Sequence, residues 1–304
     1  TLRFHSDPIV FNVENVGVVS IKVSSEFSQL DGLAIQKICG LNGAYCTACT
    51  CTWTDAVNEE KISAGFSMDR DVQNLHDLFG ELSSENADGD LVIKARPNDY
   101  KIRTGLSDKP IINSQDVTKT LSVLHAYLRS LTFFEQLGYH ISAGVLKMGI
   151  GVRYDQEKNE KARLKSAKDS FRQGAMKGPL KLRLDMPDPH GGNSDTGNAA
   201  RKFFEQESCQ GYLDLVTEDP NTRVSLQILH ERFSVILRVV SSKKEIDVER
   251  FSEYCSGTYL ELVARFPWMK SVPRSVHSLL AHVPEKISLN GNRGLGMLSE
   301  EPLE

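Results

Sequence analysis

Residues 46–51 read CTACTC, and residues 275–285 read SVHSLLAHVPE. Zinc takes four tetrahedral nitrogen or sulfur ligands, and a two-residue spacer lets both thiolates of a Cys-x2-Cys turn face one ion. Cys46 and Cys49 have that spacing. His277 and His282 are five positions apart, one more than the spacing that stacks two side chains on a helical face. They can chelate together where a helix ends or loosens, and Pro284 favours an end there. On spacing alone Cys51 or Cys39 can replace one sulfur, and the two histidines also read as half-buried residues of an apolar helix. A shared site would turn the 227 residues between Cys49 and His277 into a loop closed by one ion.

Working outward, 304 residues hold two ordinary domains or one domain with a large insertion. A hydrophobic share of 40% and a charged share of 25% belong to a soluble globular protein. The longest apolar runs, VSLQILH (224–230) and FSVILRVV (233–240), are too short to span a bilayer. The chain opens on Thr1 with no basic-then-apolar leader, so it reads as part of a longer protein. Six cysteines, three of them within CTACTC, suit a reducing compartment better than a disulfide framework. Net charge is −4, which disfavours a surface that coats nucleic acid all round. Locally the balance reverses: residues 153–183 carry ten Lys or Arg against four Asp or Glu. That run can grip a phosphate backbone, or form a solvated helix with pairs such as Glu157 and Lys161.

Residues 8–30 alternate Val, Ile and Phe around a glycine and predict two strands joined by a short turn. Residues 82–100 are polar with Gly, Pro and Asn and predict a loop or boundary. Beyond it the period becomes helical in DVTKTLSVLHAYLRSLTFFEQLGYHI, EKARLKSAKDSFRQGAM, NAARKFFEQES, VSLQILHERFSVILRVVSS and DVERFSEYCSGTYLELVARF. The glycine-rich GGNSDTGN (191–198) feeds a helix start and can hold a phosphate, or simply be an Asp195-capped turn. It lacks the Gly-Lys-Ser/Thr ending of a nucleotide loop, which excludes that kind of ATPase. Trp53 and Trp268 are expected in the core.

Five stretches in order, LDGLAIQKICGL (30–41), LHAYLRSL (124–131), LRLDMPDPHGGNSDTGNAARKFF (182–204), FPWMKSVPRSVHSLLAH (266–282) and LGMLSEEPLE (295–304), together resemble the Transib-type DNA transposases and the related RAG-like catalytic subunit of the V(D)J recombinase. The resemblance implies an α+β, mostly helical chain: a partial RNase H-like core of Asp-Asp-Glu type, interrupted by a long zinc-anchored helical insertion. It places core at 1–45, the cysteine half of the insertion at 46–115, its helical part with the histidine half at 116–285, and the return to the core at 286–304. Zn²⁺ would be held structurally by Cys46, Cys49, His277 and His282. Asp31 matches the second catalytic Asp and Glu304 the catalytic Glu, with Glu300 and Glu301 as alternative registers; on sequence alone Asp31 also reads as a turn residue and these glutamates as residues of a capped helix. Such carboxylates hold Mg²⁺ or Mn²⁺ about 3.5–4 Å apart, one ion activating the attacking oxygen and the other the leaving one.

The first catalytic Asp of the family has no match; Asp7 has the wrong surroundings, so residues 1–304 alone are expected not to cleave DNA. Double-stranded DNA, as terminal inverted repeats or recombination signals, is the implied partner, nicked and then closed into hairpins by transesterification. Arg163, Lys165, Lys168, Arg172, Arg201 and Lys202 are the expected DNA-backbone contacts. A homodimer, a RAG-type accessory subunit and nuclear localisation also follow from the resemblance. The competing expectation is a domesticated or decayed relative that binds DNA without cutting it.

Overall fold

The computed structural model describes residues 9–13, 17–21, 36–37, 39–41, 45–70, 75, 77, 79, 83–85, 91–93, 106, 109–110, 121–178, 180–185 and 195–298. β1 (Ile9–Val13) and β2 (Gly17–Ile21) form the expected antiparallel hairpin, with Phe11 opposite Val19. The stretch read as a loop contains a second hairpin, β3 (Ser83–Glu85) and β4 (Leu91–Ile93). Three-residue strands carry too little alternation to register as strands in sequence. These hairpins are separate two-stranded sheets, and no larger sheet occurs among the described residues. The chain is therefore mostly helical, as expected, without a sheet of catalytic-core size in the described part.

The continuous helices among the described residues are α1 (Glu59–Ala64), α2 (Val123–Ser142), α3 (Glu160–Lys177), α4 (Gly197–Phe203), α5 (Gln206–Val216), α6 (Pro220–Ser241), α7 (Val248–Arg265), α8 (Arg274–Ala281) and α9 (Val283–Leu289). Their starts follow capping chemistry: a short polar side chain accepts one of the first free backbone N–H groups. Ser122 accepts from His125 N, Thr196 from Ala199 N, Asp219 from Thr222 N with Pro220 behind it, and Asp247 from Arg250 N. Thr196 rather than Asp195 thus caps α4. α3 begins only at Glu160, so Glu157 lies ahead of the helix and the pair with Lys161 expected from i,i+4 spacing has no helical frame. The single run NAARKFFEQES is split at Phe204 between α4 and α5. None of the described helices is long and apolar enough to cross a membrane.

α2 is the central strut, packed on α3, α4, α5, α6 and α8. Its Gly138 permits a close approach: a Cβ there would stand 2.9 Å from Val216 Cγ2 on α5. Around Phe134 a ring cluster closes the core, with edge contacts to Phe133, Phe204, Tyr212, His230 and Phe233. His230 is buried within it and bonds the Phe203 carbonyl at 2.8 Å. Because Phe134 is fully buried among rigid rings that cannot close in on a void, Phe134→Ala is expected to cost about 3–5 kcal/mol. The measurement is a lower urea midpoint at unchanged slope. Trp268 is half-buried beside Phe266, but Trp53 is 36% exposed, contrary to expectation, because it sits in the short turn before the 3-10 segment Asp55–Val57.

Candidate metal centre

The cysteine turn is built by backbone bonds. Ala48 N donates to Cys46 Sγ at 3.4 Å, which turns that sulfur inward. Arg70, itself buried, donates from Nε and Nη2 to the Cys49 carbonyl at 3.0 and 2.7 Å, and its own N–H bonds the Ala48 carbonyl. Asp69 accepts from Thr50 N and Oγ1, fixing the exit of the turn. The returning strap carries Phe66 onto the histidine side, and Met68 N reaches Glu285 Oε2 on α9 at 3.3 Å.

The histidine half solves the spacing problem by breaking the helix. At about 100° per residue, a shift of five places leaves two side chains roughly 140° apart on a straight helix. α8 ends at Ala281, His282 is the junction, and α9 starts at Val283 with Pro284 in its first turn. This bend brings the two imidazoles to 5.0 Å between ring centres, nearly perpendicular. The ligand atoms of Cys46, Cys49, His277 and His282, all four buried, lie within 4.8 Å of one another. Cys49 Sγ is 3.3 Å from His277 Nε2, and Nδ1 of the same ring is 3.0 Å from the Tyr259 hydroxyl on α7. Cys51 bonds the Thr52 carbonyl and stands beside Cys49 outside the tetrad; Cys39 is outside it too.

The residues fit a metal such as zinc on two counts. Two sulfurs and two imidazoles are the donor set of a closed, structural zinc site, in which ligand atoms are roughly 3.3–3.8 Å apart. His282 is 0% exposed, and beyond the neighbouring Cys46 sulfur, itself a member of the tetrad, neither of its ring nitrogens has a hydrogen-bond partner. A buried polar atom left so costs about 1–3 kcal/mol, which a coordinate bond removes. The electrostatics agree. The hydrogen bond from the Cys49 thiol, ahead of burial and the histidines, holds Cys46 well below the usual thiol range. Hydrogen bonds with Cys46 and Cys51, then burial, push Cys49 up. Burial lowers His282, favouring the neutral ring a metal needs, and brings the buried Lys286 down to about 8. With both thiolates ionised, a zinc ion supplies the two positive charges that neutralise them.

The other predicted residues fall elsewhere. Asp31, Glu304, Glu300, Glu301 and Asp7 lie outside the described residues. Arg163 donates to the Ala143 carbonyl at the end of α2, and Lys165 is exposed on α3. Lys168 and Arg172, on the same helix, turn inward: both pair with Asp185, at 2.7 and 3.3 Å. Asp185 also accepts from the Tyr139 hydroxyl at 2.9 Å, and its N–H donates to Asp195 Oδ1 at 2.7 Å. Asp195 in turn meets Glu135, which is 1% exposed. Burial first, then the charges of Asp195 and Asp185, push Glu135 up to about 9. Arg201 lies 4.4 Å over the Tyr127 ring. Lys202 is exposed and lines a shallow groove of about 470 Å³ with Lys181, Arg183, Thr196 and Asn198.

Sequence reasoning missed Arg70, Tyr259, Glu135 and the groove pair Lys181 and Arg183. A buried tyrosine in an amphipathic helix has no spacing signature, whereas Lys181 and Arg183 were visible as part of the basic run. No family model matches the chain, and no curated protein matches it in sequence.

Proposed function

We propose that the chain belongs to a DDE-type DNA transposase or recombinase, in which a metal-clamped helical insertion interrupts an RNase H-like catalytic core. The observation that supports this reading is the closure of one tetrad by two cysteines and two histidines that the resemblance pairs across 227 residues. In this reading Zn²⁺ is structural, Asp31 and Glu304 belong to a catalytic Mg²⁺ or Mn²⁺ site, and the substrate is duplex DNA carrying inverted repeats or recombination signals. The reaction is nicking followed by attack of the freed 3′-hydroxyl on the opposite strand. A homodimer that joins two DNA ends, with an accessory subunit in the recombinase branch, and a nuclear location complete it.

The groove of Lys181, Arg183 and Lys202 favours a second reading, DNA association without cleavage, because three clustered cations need only a phosphate backbone. With Lys168 and Arg172 already paired to Asp185, this groove is the better phosphate contact than the buried side of α3. Full-length protein with zinc and Mg²⁺ or Mn²⁺ is expected to nick inverted-repeat DNA, and Asp31→Asn and Glu304→Gln to abolish nicking while leaving binding intact. Binding without nicking in the parent protein selects the second reading. In either case Lys181→Ala, Arg183→Ala and Lys202→Ala are each expected to weaken binding about equally on all DNA sequences. Each also lowers the slope of log affinity against log salt by about 1. Affinity indifferent to ionic strength removes the phosphate-gripping role.

A further inference from the structure

The two histidines of the tetrad are held in opposite ways. An imidazole that ligates a metal through one nitrogen must carry its proton on the other, and that proton needs an acceptor that fixes tautomer and ring plane. His277 has one: Nε2 faces Cys49 Sγ at 3.3 Å while Nδ1 is 3.0 Å from the Tyr259 hydroxyl. Tyr259 is 1% exposed. Phe66 presses on the His277 ring nearly edge-on at 4.9 Å between centres, leaving the imidazole little room to flip. His282 has no such partner on either nitrogen.

We propose that Tyr259 is the positioning residue of the metal centre: its hydroxyl oxygen accepts the Nδ1–H of His277 and so presents the Nε2 lone pair to the ion. His277 is then the nitrogen ligand set in place before metal arrives, and His282 is seated by the metal itself. The reverse arrangement, with the tyrosine donating to Nδ1, puts a proton on Nε2 and aims it at Cys49. That tautomer cannot ligate, and zinc binding selects against it. The inference rests on the metal reading of the tetrad and is independent of DNA chemistry.

The test is zinc affinity of the full-length protein by competition with a chromophoric chelator, for the parent and for Tyr259→Phe, which keeps the ring and removes only the hydroxyl. The expected result is about 10- to 100-fold weaker zinc binding, with circular dichroism unchanged. Nitrogen-15 spectra of the zinc-loaded parent are expected to show His277 protonated on Nδ1 and metal-bound through Nε2. A His277 ligated through Nδ1 overturns the proposal without need of any variant. Unchanged zinc affinity in Tyr259→Phe also overturns it, and leaves the metal reading standing. A parent protein that takes up no zinc removes both.

Discussion

Cys46→Ala and His282→Ala are each expected to eliminate stoichiometric zinc and to lower the melting temperature by 10 °C or more (order-of-magnitude, from zinc-finger energetics). The size follows from what the ion holds. The turn of residues 46–51 and the strap to Arg70 meet α7, α8 and α9 through α1, Phe66 and the tetrad, so the ion ties together the two sides of that contact. Without an ion, His282 is left buried with no partner outside the tetrad. Coordination by four ligands in zinc-finger peptides is worth about 10–16 kcal/mol, so losing even a third of that exceeds most single core substitutions. Metal analysis of the purified protein, with melting curves with and without chelator, measures the effect. Cys51→Ser and Cys39→Ser are the controls that separate the tetrad from the alternatives open in sequence: both should retain zinc, since neither sulfur belongs to the tetrad. A melting temperature indifferent to chelation removes the structural role of the metal.

Glu135→Gln is expected to stabilise the protein at neutral and alkaline pH by several kcal/mol as an upper bound. Glu135 has a folded pKa raised to about 9, against about 4.3 for an unconstrained glutamate. A carboxyl with a raised folded pKa contributes its full stability below the unfolded pKa and loses it as pH climbs through the folded one. Parent stability should therefore decline steadily between about pH 4.5 and 9 through this group, and glutamine, isosteric and never charged, removes the decline. The side chain can still donate to Asp195, as the protonated carboxyl does. Urea midpoints of both proteins across that range test it: converging curves at low pH and diverging ones at high pH are the signature. Parallel curves count against a buried neutral carboxyl.

Much of the helical architecture was written locally. Asp219 before Pro220, Asp247 and Ser122 announce helix starts by cap chemistry, and the apolar period of α2, α6 and α7 fixes their buried faces. The metal tetrad was legible only because a resemblance joined two distant motifs; spacing alone left Cys39 and Cys51 open, and the i,i+5 histidines argued against a common site until the bend at His282 removed the objection. The rest was hidden for a common reason. Whether Lys168 and Arg172 face DNA or Asp185, and whether a tyrosine meets a histidine 18 residues away, depend on partners that only the tertiary structure supplies. The strands of the β3–β4 hairpin are too short to show a period, and Asp31 and Glu304 lie outside the described residues.

The division of the clasp across 227 residues imposes an order on the making of the protein. At synthesis rates of about 5–20 residues per second, the cysteine pair leaves the ribosome roughly 10–45 s before His277 is even joined to the chain. During that interval the earlier helices α2 to α5 have time to dock on one another, while the thiols of residues 46–51 wait without their histidines. An ion bound at the tetrad would thus be a late fastener on a partly assembled bundle rather than the seed of its folding. Until the histidines arrive, the newborn chain would carry free thiols that only a reducing surrounding keeps unpaired.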